Sequence, residues 1–160
     1  MNLTTLLLSA LLALLPISEL RGAIPFAVIR GMDIVPAALI LTAINALVPL
    51  FAFLFLSTVH RWFYRWTPYK GFFDRFVEKT RRKVHPQVEK YGYWGLLLFV
   101  AIPLPVTGAW TGALGAWILG MSRKKASIAI VGGVIVAGII VTLLVALLGA
   151  GAKSIFFKTL

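Results

Sequence analysis

The sequence predicts an all-α membrane protein: an inverted repeat of one re-entrant helical hairpin plus one transmembrane helix, with an interfacial amphipathic helical segment between the halves. Three observations carry this. The 160 residues are 60% hydrophobic with a mean hydropathy of +0.94, too apolar for a soluble domain of this size. Two uncharged runs, 34–59 and 126–150, are long enough to cross a bilayer. Two further apolar stretches, 3–32 and 91–121, are each broken near the middle by prolines and polar residues. The whole of 1–160 then reads as a single membrane domain, with a first repeat over 1–59, a basic segment over 60–90 and a second repeat over 91–150.

Leu3 to Leu15 is apolar but shorter than the roughly 20 residues of a full crossing. Small residues nearby imitate a signal peptide, but no basic segment precedes the run and Glu19-Leu20-Arg21 is a poor cleavage context, so the stretch is expected to stay in the mature protein. Next comes Pro16-Ile17-Ser18-Glu19-Leu20-Arg21-Gly22-Ala23-Ile24-Pro25. Prolines lack an N–H and push the preceding residue out of helical conformation, so this decapeptide is expected to form an elbow between two half-helices. A carboxylate and a guanidinium here cost several kcal/mol in hydrocarbon unless paired or wetted. Non-helical backbone at membrane depth must also be covered by protein or water. Arg30 and Asp33, three apart, are placed to pair where the chain regains the interface.

Residues 34–59 form the first crossing, with Thr42 and Asn45 near mid-depth and a kink expected at Pro49. Residues 60–90 hold nine Lys and Arg against Asp74, Glu78 and Glu89, with aromatics recurring near the helical period and a break expected at Thr67–Gly71. Such a pattern lies in the interface, and a plain topology-setting basic loop fits it equally. The second hairpin, 91–121, has its elbow at Pro103-Leu104-Pro105-Val106-Thr107-Gly108-Ala109-Trp110-Thr111-Gly112. The second crossing, 126–150, carries Gly132, Gly133 and Gly138, as close helix packing requires.

The halves are weakly self-similar. Gly22-Ala23 aligns with Gly108-Ala109, Gly31-Met32 with Gly120-Met121 and Ala37 with Ala126, the offset growing from 86 to 89. One crossing per half inverts the second copy relative to the first. The basic segment and Arg123-Lys124-Lys125 then share one side, which the positive-inside rule makes cytoplasmic, with both termini outside.

The motifs Ser18-Glu19-Leu20-Arg21-Gly22-Ala23-Ile24-Pro25 and Ile102-Pro103-Leu104-Pro105-Val106-Thr107-Gly108-Ala109-Trp110-Thr111-Gly112 together resemble the small multidrug export protein family, a branch of the DedA/VTT superfamily. The resemblance covers nearly the whole chain. It implies two opposed re-entrant hairpins in the plasma membrane of a prokaryote, and an activity such as flipping a lipid or isoprenoid phosphate, in some members dependent on protons. By position Glu19 and Arg21 match the first motif, and Thr107, Gly108, Trp110 and Thr111 the second. The second elbow here lacks charge, a departure that weighs against coupling through a carboxylate pair.

From the residues themselves, Glu19, Arg21, Gly22, Pro25, Asn45, Pro103, Pro105, Thr107, Gly108, Trp110 and Thr111 are the candidate substrate or proton site. Broken helices expose N–H groups that favour anions, and the planar fork of Arg21 suits phosphate oxygens. An Arg21–Glu19 or Arg21–carbonyl pair that merely locks the hairpins is an equal reading. Burial favours a neutral Glu19 and Arg21 a charged one, so proton exchange stays open. Trp110 reads first as packing and second as a stacking surface, and Asn45 first as interhelical glue.

The charge of +11 points to anionic lipid headgroups rather than nucleic acid, because the cations flank hydrophobic spans. The absence of cysteine removes thiol chemistry, and His60 and His85 have no metal-ligand partners at useful spacing. Neither a nucleotide-binding loop nor a catalytic triad is present, so no enzyme and no cofactor or metal is expected. Three readings follow: an anionic-lipid transporter, a drug/proton exchanger and a non-transporting scaffold, with homodimerisation open to each.

Overall fold

The computed structural model describes residues 3–58, 67–104 and 107–158, and among these every regular element is helical. In chain order they are α1 (Leu3–Leu14), α2 (Glu19–Ile29), α3 (Ile34–Asn45), α4 (Val48–Ser57), α5 (Thr67–Ala101), α6 (Ala109–Ile118) and α7 (Arg123–Lys158). Two stretches are long and apolar enough to cross a membrane: Ile34–Ser57, made of α3 and α4, and Arg123–Gly149 within α7. Their outer faces carry exposed Leu39, Leu50, Leu54, Ile128, Ile139 and Leu147, an apolar surface too extensive for water.

The first break is shorter than the proline pattern predicts. Only Leu15–Ser18 leaves the helix, and Glu19 already begins α2. Pro25 therefore lies inside α2, where its missing N–H leaves the Arg21 carbonyl without its usual partner. The expected kink is present two residues before Pro49, since α3 and α4 are separated by Ala46-Leu47. The break expected at Thr67–Gly71 does not occur, because a proline is tolerated in a first turn and α5 runs through it. The real interruption is Gly92 (φ +57°, ψ −128°), which divides the basic part of α5 from the arm leading to the second elbow. That basic part is amphipathic: Val77 packs toward Leu56 and Leu114 and Thr80 is buried, while Asp74, Arg75, Glu78 and Arg82 face outward.

Two turns are built alike. At the end of α2, Gly31 N–H donates to Val28 O (3.0 Å) and Met32 N–H to Ala27 O (3.0 Å), with Gly31 at φ +87°. At the end of α6, Gly120 N–H donates to Trp117 O (3.2 Å) and Met121 N–H to Ala116 O (2.9 Å), with Gly120 at φ +65°. Both are the same glycine-dependent helix stop, and they sit 89 residues apart, as do Ile34 and Arg123 at the starts of α3 and α7. The alignment of Gly22 with Gly108 fails: Gly22 is inside the first turn of α2, whereas Gly108 precedes α6. Arg30 does not pair with Asp33 but lies over the Phe26 ring, 5.5 Å from its centre.

The core runs through Leu20, Ile24, Leu41, Leu96, Ile130 and Val134, all nearly inaccessible. Helices approach closely through glycine. A β-carbon on Gly133 would lie 2.7 Å from both Leu97 O and Val100 Cβ, and one on Gly112 would lie 2.7 Å from Val100 Cγ2. Packed in this way, α6 is enclosed by α4, α5 and α7, while α1 rests on α2 and α3.

Candidate functional site

The two elbows meet. Glu19, 5% exposed, has the only positive φ (+47°) of any non-glycine residue among those described, a conformation that is costly away from glycine and that collects at functional positions. Its side chain crosses to the start of α6. There the Ala109 N–H donates to Oε2 (3.1 Å) and the Trp110 N–H to Oε1 (3.3 Å). The first N–H groups of a helix have no partner within it, and the residue before α6 is Gly108, which has no side chain to supply one. Glu19 is therefore the N-cap of α6, delivered from the other hairpin with its acid at the positive end of the helix dipole. Gly108 leaves the space for it: a β-carbon there would be 2.7 Å from Glu19 Cδ and Oε1.

Arg21, two residues on, reaches the other half of the same elbow. Its Nη1 donates to Leu104 O and its Nη2 to Thr107 O (2.7 Å), so the guanidinium fork clasps two carbonyls of the elbow loop, of which Leu104 O also accepts the Thr107 N–H (3.1 Å). Thr107 ties this loop to itself: its hydroxyl lies 2.6 Å from Ile102 O and 2.8 Å from Leu104 O and accepts the Leu104 N–H (3.1 Å).

The end of α1 is tied down from two directions. Asn45 Nδ2 donates to Ala13 O (2.6 Å) and Trp110 Nε1 to Leu14 O (2.8 Å). Both carbonyls lack helical partners because the chain turns away after Pro16. Asn45 is thus glue, as its first reading had it, and Trp110 packs against α1 with its indole N–H satisfied.

Of the expected site residues, Glu19, Arg21, Asn45, Pro103, Thr107 and Gly108 line one small cavity. Trp110 and Thr111 stand beside it on α6, with Thr111 buried; Gly22 and Pro25 lie along α2 outside it, and Pro105 lies outside the described residues. The remaining wall includes Val134, Ala137 and Val141 of α7, which the sequence reading passed over as an ordinary crossing, although their three- and four-residue spacing marks one helical face. The cavity volume is about 10 Å³, room for a single water. No headgroup fits without movement. Neither His60 nor the side chain of His85 falls within the described residues. Among the described residues no cluster of His, Asp and Glu is arranged to hold a metal.

The chain belongs to the family described as Putative small multi-drug export protein, whose profile matches residues 19–140. The matched stretch begins at Glu19 and contains both elbows and both long apolar helices up to residue 140. The chain is accordingly a membrane protein with transmembrane helices. No curated protein and no solved structure matches it.

Proposed function

We propose that the chain is a small secondary transporter of DedA/VTT type that moves an anionic amphiphile, a lipid or isoprenoid phosphate, past the joined elbows with protons exchanging at Glu19. In this reading α1–α2 and the 93–101 arm with α6 are re-entrant hairpins inserted from opposite faces, the halves form an inverted repeat, and the elbows lie near mid-membrane. Support comes from the paired turns at Gly31 and Gly120, and from Tyr93, whose hydroxyl accepts the Ser122 N–H (3.3 Å) and whose ring lies 6.0 Å from Lys125. The latter contact sets the end of the basic segment beside Arg123–Lys125, the side taken as cytoplasmic, which leaves both termini outside.

One observation carries the functional part. The Ala109 and Trp110 amides and the Arg21 fork converge on one elbow, and the carboxyl of Glu19 occupies the amides. An anionic phosphate presents the same acceptor chemistry as that carboxylate. When a proton neutralises Glu19, its hold on the amides weakens, and a phosphate can take its place with Arg21 turning from the carbonyls to the incoming oxygens. The water-sized cavity is then the closed state of the pathway. Amphiphile and proton would exchange at one location, so neither crosses freely.

A second reading, a proton-coupled exporter of lipophilic cations, is favoured by the family's description and by the two carbonyls that already engage Arg21 and blunt its repulsion of a cation. Proteoliposomes separate the two. A fluorescent short-chain phosphatidic acid should cross faster than in empty vesicles, slow by about tenfold in Arg21→Lys for loss of the two-pronged contact, and lose its dependence on a pH gradient in Glu19→Gln. Movement of ethidium without movement of phosphatidic acid would establish the second reading. Movement of neither would make the chain a scaffold.

A further inference from the structure

Because the cavity between the elbows holds no more than a water, some element must yield before an amphiphile can reach Arg21, and the packing identifies which. α6 is enclosed by three helices, and residues Thr111–Ala116 are all buried. α2 holds the first elbow's charges and packs on α1, α3 and α7. α1 rests on α2 and α3 alone among its extensive contacts, with Leu3, Leu7, Leu8 and Leu11 exposed on its outer face. Its fully buried positions are the small Thr5, Ser9 and Ala13, and the half-buried Leu6, Leu12 and Leu14 complete its contact with the core. The Ser9 hydroxyl donates to Thr5 O of its own helix (2.7 Å) and so does not tie α1 to its neighbours.

Two side chains from other helices clip its C-terminal end: the Asn45 amide on Ala13 O and the Trp110 indole on Leu14 O. Both holders belong to the site. Asn45 lines the cavity, and the Trp110 backbone N–H is one of the two amides that Glu19 caps. Directly after these clips the chain makes the Leu15–Ser18 turn, where Pro16 removes a helical N–H and Ile17 is 93% exposed, a ready hinge.

We propose that α1 is a lateral gate, clipped shut by Asn45 and Trp110 on the carbonyls of Ala13 and Leu14, and that its outward swing about the Leu15–Ser18 turn lets the hydrocarbon chain of the substrate remain in lipid while its headgroup enters the elbows. The proposal rests on the transport reading for its purpose but on the clips for its mechanics. Movement of Glu19 off α6 shifts the first turn of that helix and with it Trp110, so release of the acid and release of the gate are mechanically joined.

The chain contains no cysteine, so single thiols report cleanly. Ser9→Cys places one on the inner face of α1, and Ala129→Cys places a second buried one on α7 as a reference. In vesicles, N-ethylmaleimide should label Ser9→Cys slowly. Trp110→Phe, which keeps an aromatic ring and removes the indole N–H, should raise that rate about fivefold, as should Asn45→Leu, with the reference rate unchanged in each. An unchanged Ser9→Cys rate in Trp110→Phe overturns the gate, and so does a parallel rise of the Ala129→Cys rate, which would mean general loosening. Phosphatidic acid crossing measured on the same vesicles keeps the two ideas apart. Faster labelling without crossing refutes transport and leaves the moving helix, whereas crossing without any change in labelling refutes the gate and leaves transport.

Discussion

Gly108→Ala tests the seat of Glu19 directly. The added methyl would stand 2.7 Å from the carboxyl carbon and from Oε1, closer than carbon and oxygen can approach, and backbone blocks its retreat because φ is +155°, a region open mainly to glycine. The carboxyl must leave, losing two hydrogen bonds at 3.1 and 3.3 Å. Each buried N–H left without its acceptor costs about 1–3 kcal/mol, and at these lengths the pair costs about 3 kcal/mol. Backbone strain adds about 1 kcal/mol, for a total of about 4 kcal/mol. In a Glu19→Ala background nothing is left to displace, and Gly108→Ala should cost only the strain, about 1 kcal/mol. The double-mutant coupling is therefore about 3 kcal/mol. Loss of helicity on titration from mild detergent into dodecyl sulfate micelles measures each free energy. Equal costs for Gly108→Ala in the two backgrounds, whether high or low, would refute the claim that Glu19 caps α6.

Four further substitutions probe the helix packing and the two matching turns. Gly133→Ala brings a methyl to 2.7 Å from the Leu97 carbonyl oxygen and should destabilise by about 2–3 kcal/mol in the same titration, since backbone cannot step aside. Gly149→Ala, facing open space on the same helix, should gain up to about 1 kcal/mol from alanine's better helix propensity, and a loss there matching that at Gly133 would refute the claim that the α5–α7 approach sets the cost. Gly31→Ala and Gly120→Ala should each lose about 1–2 kcal/mol from forcing an alanine into left-handed backbone, and by matching amounts, because nothing lies within 4 Å of either added methyl. Unmatched losses would mean that the two turns are not equivalent.

How much of this was legible depended on whether the signal was local. Hydropathy located both long apolar helices to within a few residues, and the glycine–methionine pairs at 31–32 and 120–121 proved to be the same turn. Proline reads less simply. It forbids a hydrogen bond at one position but does not say whether the chain breaks there, starts a helix there or tolerates the gap. Hence Pro16 breaks the chain, Pro68 opens α5, and Pro25 sits within α2. The Gly22–Gly108 alignment failed for a related reason: one glycine lets a helix turn pass beside Ser18, and the other makes room for an acid from another hairpin. In the site, Glu19, Arg21, Thr107 and Gly108 were legible as polar or breaker residues in hydrocarbon-rich sequence. Their partners were not, since Ala109 and Trp110 amides or Leu104 and Ala13 carbonyls are backbone groups whose availability is decided only by where helices end.

That dependence on helix ends accounts for the missing charge in the second elbow. A buried elbow leaves two kinds of backbone group outside its helices, the N–H groups that open the next helix and the C=O groups of the loop, and each costs free energy if left bare. The second elbow has both: Ala109 and Trp110 as donors, Leu104 and Thr107 as acceptors. A carboxyl satisfies only the donors and a guanidinium only the acceptors, so one of each is needed, and Glu19 and Arg21 supply them from positions two residues apart on the facing segment. A matching pair on the second elbow would have no counterpart to satisfy and would repel or neutralise the first. In the proposed transport cycle, a proton on Glu19 or an anion near Arg21 would remove half of this lock and leave the other half facing an unpaired partner. A chain in which Glu19 and Arg21 were exchanged should therefore fail to close at all: the guanidinium would meet amides and the carboxyl would meet carbonyls.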